Sequence, residues 1–269
     1  MRVTRIATTS AIPLAVLVAV VSLGGLLSPA YARETSAWTS QAIGQDWFDL
    51  LVVVPWLAVC GVKARQGSYR WSVLLAGAYA YTVYEMIIYA FAIHFNALFL
   101  LYCATLGLSG FALAGLVLAL SRRGDHVDLR AAHLAGSFLV AIGAVFALLW
   151  LAEDVPALLR NTPPQSLVDT GLFTNPVHVI DLAFVLPLHV LAGVWIWQGR
   201  TSGKLLAPIV LAFGVLMAAS IGGMMLVMQA AGAPAAMPVA IAMFVVAGCE
   251  TAVLGRLLRA RFTPVFATR

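Results

Sequence analysis

Three ionisable side chains on one apolar stretch carry the strongest chemical signal in this chain. His178, Asp181 and His189 fall between Val177 and Trp197. At about 100° per residue in a helix, His178 and Asp181 share a face, and His189 returns to within about 20° of His178 about 16 Å further along. Ionisable groups in such a graded series are what proton relays use, because each must change charge within reach of the next. A second stripe, Tyr81, Glu85 and Tyr89, is spaced by four, so the two phenols flank the carboxyl group one turn to either side. Glu85 then sits about 13 Å below His94, by rise per residue.

His94 and Asn96 in the tip His94-Phe95-Asn96, together with Tyr102 and Gln45-Asp46, fall at a similar depth. If the stretches that carry them are neighbours, the expected ligand- or ion-binding residues are His94, Asn96, His178 and Asp181, with Glu85 and His189 relaying protons deeper. His94, His178 and Asp181 are also a candidate metal set, since a histidine with a carboxylate one turn away suits metal ligation. A haem would need axial ligands on facing helices, and His94 with His178 is the pair at matched depth. The cofactor stays unassigned by this pattern, which is compatible with a metal ion and disfavours haem.

Each residue also has a plainer role. Asn175-Pro176 reads as a helix N-cap followed by a first-turn proline, which would make His178 and Asp181 capping and headgroup contacts. Glu85 would then be a protonated carboxyl bridging two helices. Glu250, about two turns from Arg256, would snorkel or pair at a helix end. Met217, Met224, Met225 and Met228 read as packing rather than soft ligands, and His126 and His133 as flanks of a basic link.

The elements that must position these groups are apolar segments of membrane-crossing length, which is roughly 20 residues. Eight are expected: Ala11 to Leu27, Phe48 to Val62, Trp71 to Ile93, Ala97 to Leu120, Ala131 to Leu151, Val177 to Trp197, Leu205 to Met228 and Val239 to Leu254. They predict an all-α polytopic bundle forming a single membrane domain, with Glu153 to Pro176 as the longest external loop, long enough for one short surface helix. The first segment has a second reading. Arg2 and Arg5, the apolar run, Ser28, Pro29 and Ala30-Tyr31-Ala32 match a cleavable signal and would leave seven spans, although the run exceeds the usual apolar core of about 7 to 15 residues.

Composition excludes a soluble domain. The chain is 62% hydrophobic and 10% charged, with a mean hydropathy of +0.97, where soluble proteins carry about one quarter charged residues. The pI of 9.4 does not point to nucleic acid, because the cations cap spans. Arg2, Arg5, Lys63, Arg65, Arg70, Arg122, Arg123, Arg130, Arg200, Lys204, Arg256, Arg259, Arg261 and Arg269 fall on one side, and Arg33 and Arg160 on the other. By the positive-inside bias both termini are cytoplasmic if the first span is retained, in the inner membrane of a bacterium. Cys60, Cys103 and Cys249 lie singly in separate segments and imply neither a disulfide framework nor a zinc ribbon. A carboxylate within a span costs about 2.5 to 3.5 kcal/mol on insertion scales, so Glu85, Asp181 and Glu250 each need a partner, a proton or water. No repeat of 20 to 50 residues and no inverted repeat is evident. The stripe Gly214, Ala218 and Gly222 should let another helix approach closely.

The strings Gln45-Asp46, His94-Phe95-Asn96 with Leu98-Phe99-Leu100-Leu101-Tyr102, and Asn175-Pro176-Val177-His178-Val179-Ile180-Asp181 with Leu186-Pro187 resemble those of a family of uncharacterised bacterial multi-spanning membrane proteins. The resemblance covers the second to seventh spans and implies no activity, cofactor or partner. Other classes lack their motifs. Lys63 and Lys204 lie at span ends rather than where a retinal lysine would sit, the histidines of the sixth segment are too far apart for a zinc helix, and there is no CxxC. The leading expectation is a transporter-like or sensor-like protein that binds a small cation, proton or polar solute from outside. The alternatives are a metal- or haem-dependent membrane enzyme and a structural subunit of a membrane complex. The lipid bilayer is the one partner implied.

Overall fold

The computed structural model describes residues 2–122, 128–232 and 236–260. Arg123, Asp125, His126, Arg261 and Arg269 lie outside the described residues, as does the side chain of Arg2. The chain forms an all-α bundle with eight helices long and apolar enough to cross a membrane: Arg5–Leu27, Ser36–Arg65, Tyr69–Ala92, Phe99–Leu120, Leu129–Arg160, Pro176–Trp197, Thr201–Ala230 and Ala236–Arg259. They are called spans one to eight below. Short links alternate between an arginine-rich and an arginine-poor end.

Two helices run further than hydropathy suggests. Span two starts at Ser36, not near Phe48, with the Thr35 hydroxyl accepting from the Trp38 N–H. Span five continues to Arg160, past Leu151. In each case the polar residues taken as helix ends face protein, so their polarity does not stop the helix. The longest link therefore shrinks to residues 161–175 and holds one six-residue helix, Gln165–Thr170.

Spans three and seven are the most enclosed and cross at the centre. Gly77 allows this: a Cβ there would strike the backbone of Ala212 and Phe213. The small-residue stripe of span seven faces span eight, with Gly214 against the Glu250 carboxyl and Gly222 against the Phe244 ring. Span one packs into the bundle through Leu14, Val18 and Val21, all fully buried, and the Tyr79 hydroxyl donates to the Ala7 carbonyl at 2.7 Å. The Ala30-Tyr31 segment, which reads as a cleavage site, is buried behind it.

The structure reveals a repeat that runs in one direction. Span two is interrupted by a π-helical turn at Asp49–Val53, and span six by another at Asp181–Val185. In both, the aspartate carbonyl accepts from the N–H five residues on, and a 12-residue helix follows with its proline in the first turn, Pro55 or Pro187. Proline lacks an N–H and its ring crowds the carbonyl four residues back. The wide turn absorbs that clash at both Pro55 and Pro187. Within these strings Asp46 matches His178 and Asp49 matches Asp181. The same neighbour pairings recur in spans one to four and five to eight, which makes the halves a parallel repeat.

The link between spans three and four is held from both sides. Asn96 accepts from the Leu98 N–H at 2.8 Å and donates to the Ala30 carbonyl and the Tyr102 hydroxyl at 3.2 and 3.3 Å. Asn96→Ala removes all three bonds and should cost about 1 to 3 kcal/mol, read as a lower midpoint of thermal unfolding in detergent. An unchanged midpoint would refute this assignment.

Candidate functional site

A cavity of about 350 Å³ lies among spans two, three, five, six, seven and eight. It reaches from Glu153, Ser166 and Asn175 at the arginine-poor end down to Gly214, Met243 and Glu250. Its acidic and imidazole lining consists of Glu85, Glu153, His178, Asp181, His189 and Glu250, joined by the phenols of Tyr81, Tyr84 and Tyr89, with neither lysine nor arginine among the described residues. An approaching anion therefore meets no countercharge, and a cation meets several.

The mouth is built by spans five and six. Asn175 caps span six by accepting from the Val177 and His178 N–H groups at 3.0 and 3.3 Å. His178 is buried, and its Nδ1–H donates to the Asp154 carboxylate, whose oxygens lie at 3.0 and 3.1 Å. That bond fixes the ring orientation and leaves Nε2 facing Glu153, 4.0 Å away. The Ser166 hydroxyl donates to Glu153. Trp150 stacks on the His178 ring with centroids 4.4 Å apart, and its indole N–H donates to Asp181 at 2.8 Å. The Tyr84 hydroxyl lies beside Asp181. Deeper, the His189 Nδ1–H donates to the Val185 carbonyl at 2.7 Å, which leaves Nε2 as the acceptor.

Behind one wall runs a chain of acids supplied by spans two and three. Asp46 is fully buried and accepts from the Tyr31 hydroxyl at 2.8 Å and the Tyr89 hydroxyl at 3.0 Å. Burial pushes the Tyr31 phenol above its ordinary value, which keeps it a donor. Asp49, also fully buried, accepts from the Gln45 amide at 2.9 Å and from Ser22 at 3.4 Å. The same Gln45 amide donates to the Tyr81 hydroxyl. Glu85 lies within hydrogen-bonding reach of the Asp49 carboxyl, and no other donor of the described protein reaches either of its oxygens. Two carboxyl groups in contact within a low dielectric repel if both are ionised, so the pair is suited to hold a proton or a cation between them.

Four of the residues singled out in the sequence, Glu85, His178, Asp181 and His189, line this one cavity. His94 and Asn96 do not. His94 is an exposed hairpin residue whose backbone N–H and Nδ1 both engage Glu34, at 2.8 and 3.0 Å. Asn96 spends its side chain on the link. The grouping of His94 with His178 and Asp181 is accordingly absent, because span three ends in a clasp with the segment after span one rather than facing span six. Among the described residues no three His, Cys, Asp or Glu side chains converge as a metal-binding group. Comparison with protein-family models, curated proteins and solved structures finds no match in any of the three. The chemistry of the site is therefore argued from its geometry.

Sequence reasoning missed Trp150, Glu153 and Asp154, which complete the mouth. Their spacing of three and four is a helical signal, hidden by ending the segment at Leu151. It also misplaced Glu250. That side chain does not snorkel toward Arg256 but turns inward against Gly214, is 2% exposed, and leaves Oε2 without a partner. The glycine makes the space, and no single-helix pattern contains that information.

Proposed function

We propose that this is a multi-pass protein of a bacterial cytoplasmic membrane, transporter-like or sensor-like, that binds a small cation, proton or polar solute in the cavity from outside. The orientation, with both termini cytoplasmic, follows from the positive-inside bias, under which the arginine-poor end and the cavity mouth face outward. The observation that carries the reading is a cavity within the span bundle lined by carboxyl, imidazole and phenol groups and, among the described residues, by no lysine or arginine. Such groups inside a membrane are costly and typically mark ion or substrate pathways. Asp181 and His178 form the outer station; Glu85, against Asp49, and His189 form the inner ones. The two π-turns reinforce this, because such turns are frequent at functional sites and put an aspartate at each break.

The test compares wild type with Asp181→Asn and Glu85→Gln, variants that keep shape and remove charge. Thermal unfolding of the detergent-purified protein is followed across the titration range of histidine and carboxyl groups and against added sodium, potassium and ammonium salts at constant ionic strength. Wild type should show an ion- or pH-dependent midpoint, and each variant should lose most of that dependence. If both variants respond as wild type does, the reading fails.

A further inference from the structure

We infer that the cavity takes a protonated organic amine with an apolar body. This rests on the cation-site reading above and names the class of cation. Two carboxyl groups carry the argument. Glu85 is 4% exposed and its oxygens meet no donor beyond the Asp49 carboxyl beside them, Glu250 is 2% exposed with Oε2 unpartnered, and both glutamates line the same cavity. A buried charged or polar group without a partner costs several kcal/mol, so each position calls for a donor brought from outside. Among the described residues no lysine or arginine lines the cavity to serve them.

Size and wall chemistry select among the cations. A cavity of about 350 Å³ is that of a small organic ligand, far larger than a bare ion, and a water molecule takes only about 30 Å³. The rest of the lining is largely apolar and aromatic, with Trp38, Phe146, Phe213, Met217 and Met225 among it. A bare metal ion would leave those walls without contact. A neutral solute would leave the acids without countercharge, and an anion would be repelled. An ammonium group on a hydrocarbon or aryl body satisfies both, since aromatic faces attract cations and methionine adapts to irregular apolar shapes.

The acids are staggered in depth. Measured along their own helices from the arginine-poor end, Asp181 lies about 8 Å in, Glu85 about 10 Å and Glu250 about 21 Å. Asp181 already holds the Trp150 indole N–H, whereas Glu85 and Glu250 hold nothing outside the acid chain. Asp181 thus serves entry, and the two deeper carboxyls serve the docked ammonium.

The experiment uses the full-length protein in detergent with three near-isosteric probes: 2-phenylethylammonium, 2-phenylethanol and phenylacetate. Binding is read by quenching of tryptophan fluorescence, to which Trp38 and Trp150 in the cavity wall contribute, and by the thermal midpoint. The ammonium should bind and stabilise, and the alcohol and carboxylate should not. Glu85→Gln and Glu250→Gln should each weaken ammonium binding by about 10- to 100-fold, the change expected from one lost charged hydrogen bond. Equal binding of the alcohol and the ammonium would overturn the amine assignment while leaving the cavity a solute site. If no probe binds while inorganic cations still shift the midpoint through Asp181 and Glu85, the organic amine is excluded and the simpler cation site stands. The probe series on wild type alone decides the charge preference if a variant fails to accumulate.

Discussion

Asp46→Leu should be among the most destabilising single substitutions outside the cavity. The leucine removes the acceptor of two phenols, Tyr31 and Tyr89, both buried and both bonded to this one carboxyl group. Each orphaned hydroxyl costs about 1 to 3 kcal/mol, and Tyr89 retains only a 3.4 Å contact with the Ala42 carbonyl. A loss of about 2 to 6 kcal/mol is expected, read by chemical or thermal denaturation in a fixed detergent. Tyr31→Phe, which removes one bond and keeps the ring, should cost about 1 kcal/mol. In a double-mutant cycle the two changes should be strongly non-additive, since they share a partner. Simple additivity would mean that the hydrogen bond contributes little.

Gly77→Val should prevent the two halves from closing. Any Cβ at Gly77 meets the backbone of Ala212 and Phe213, and backbone in the middle of a packed helix cannot move aside as a flexible side chain can. Overpacking typically costs about 1 to 3 kcal/mol, and more where no rotamer relieves it. The expected outcome is failure to accumulate as a monodisperse species. Gly107→Val in span four and Gly248→Val in span eight are the controls, because a Cβ there meets nothing within 4 Å, and both should behave as wild type. If Gly77→Val purifies and melts like those controls, the central contact between spans three and seven is not as described.

The parallel repeat gives these positions a common logic. Each half carries an aspartate at a π-turn six residues before a proline, but the surroundings have diverged. In the first half Asp46 and Asp49 are shut away among tyrosines and Gln45. In the second, the matching His178 and Asp181 face the cavity, with span five closing over them. The first break reaches the cavity only through Glu85, which lies against Asp49, whereas the second opens onto it directly.

Hydropathy alone determined that the chain is a polytopic helical bundle of eight apolar segments, the first of which also read as a cleavable signal, because the bilayer requires each span to be long, apolar and internally hydrogen-bonded. The spacing of His178, Asp181 and His189, and of Tyr81, Glu85 and Tyr89, was legible for the same kind of reason: helical periodicity turns separation along the chain into a shared face. Which faces meet is a different matter. Nothing in a single span says that Glu34 will hold His94 away from span six, that Trp150 will stack on His178, or that Gly214 will admit Glu250 to the core. Those contacts depend on side chains from helices far apart in sequence, and small residues such as Gly77 and Gly214 act through the space they leave, which becomes visible only once another helix occupies it. Periodicity is local and so can be read from one strand of text, whereas the cavity is a property of pairs and triplets of helices that only tertiary packing brings together.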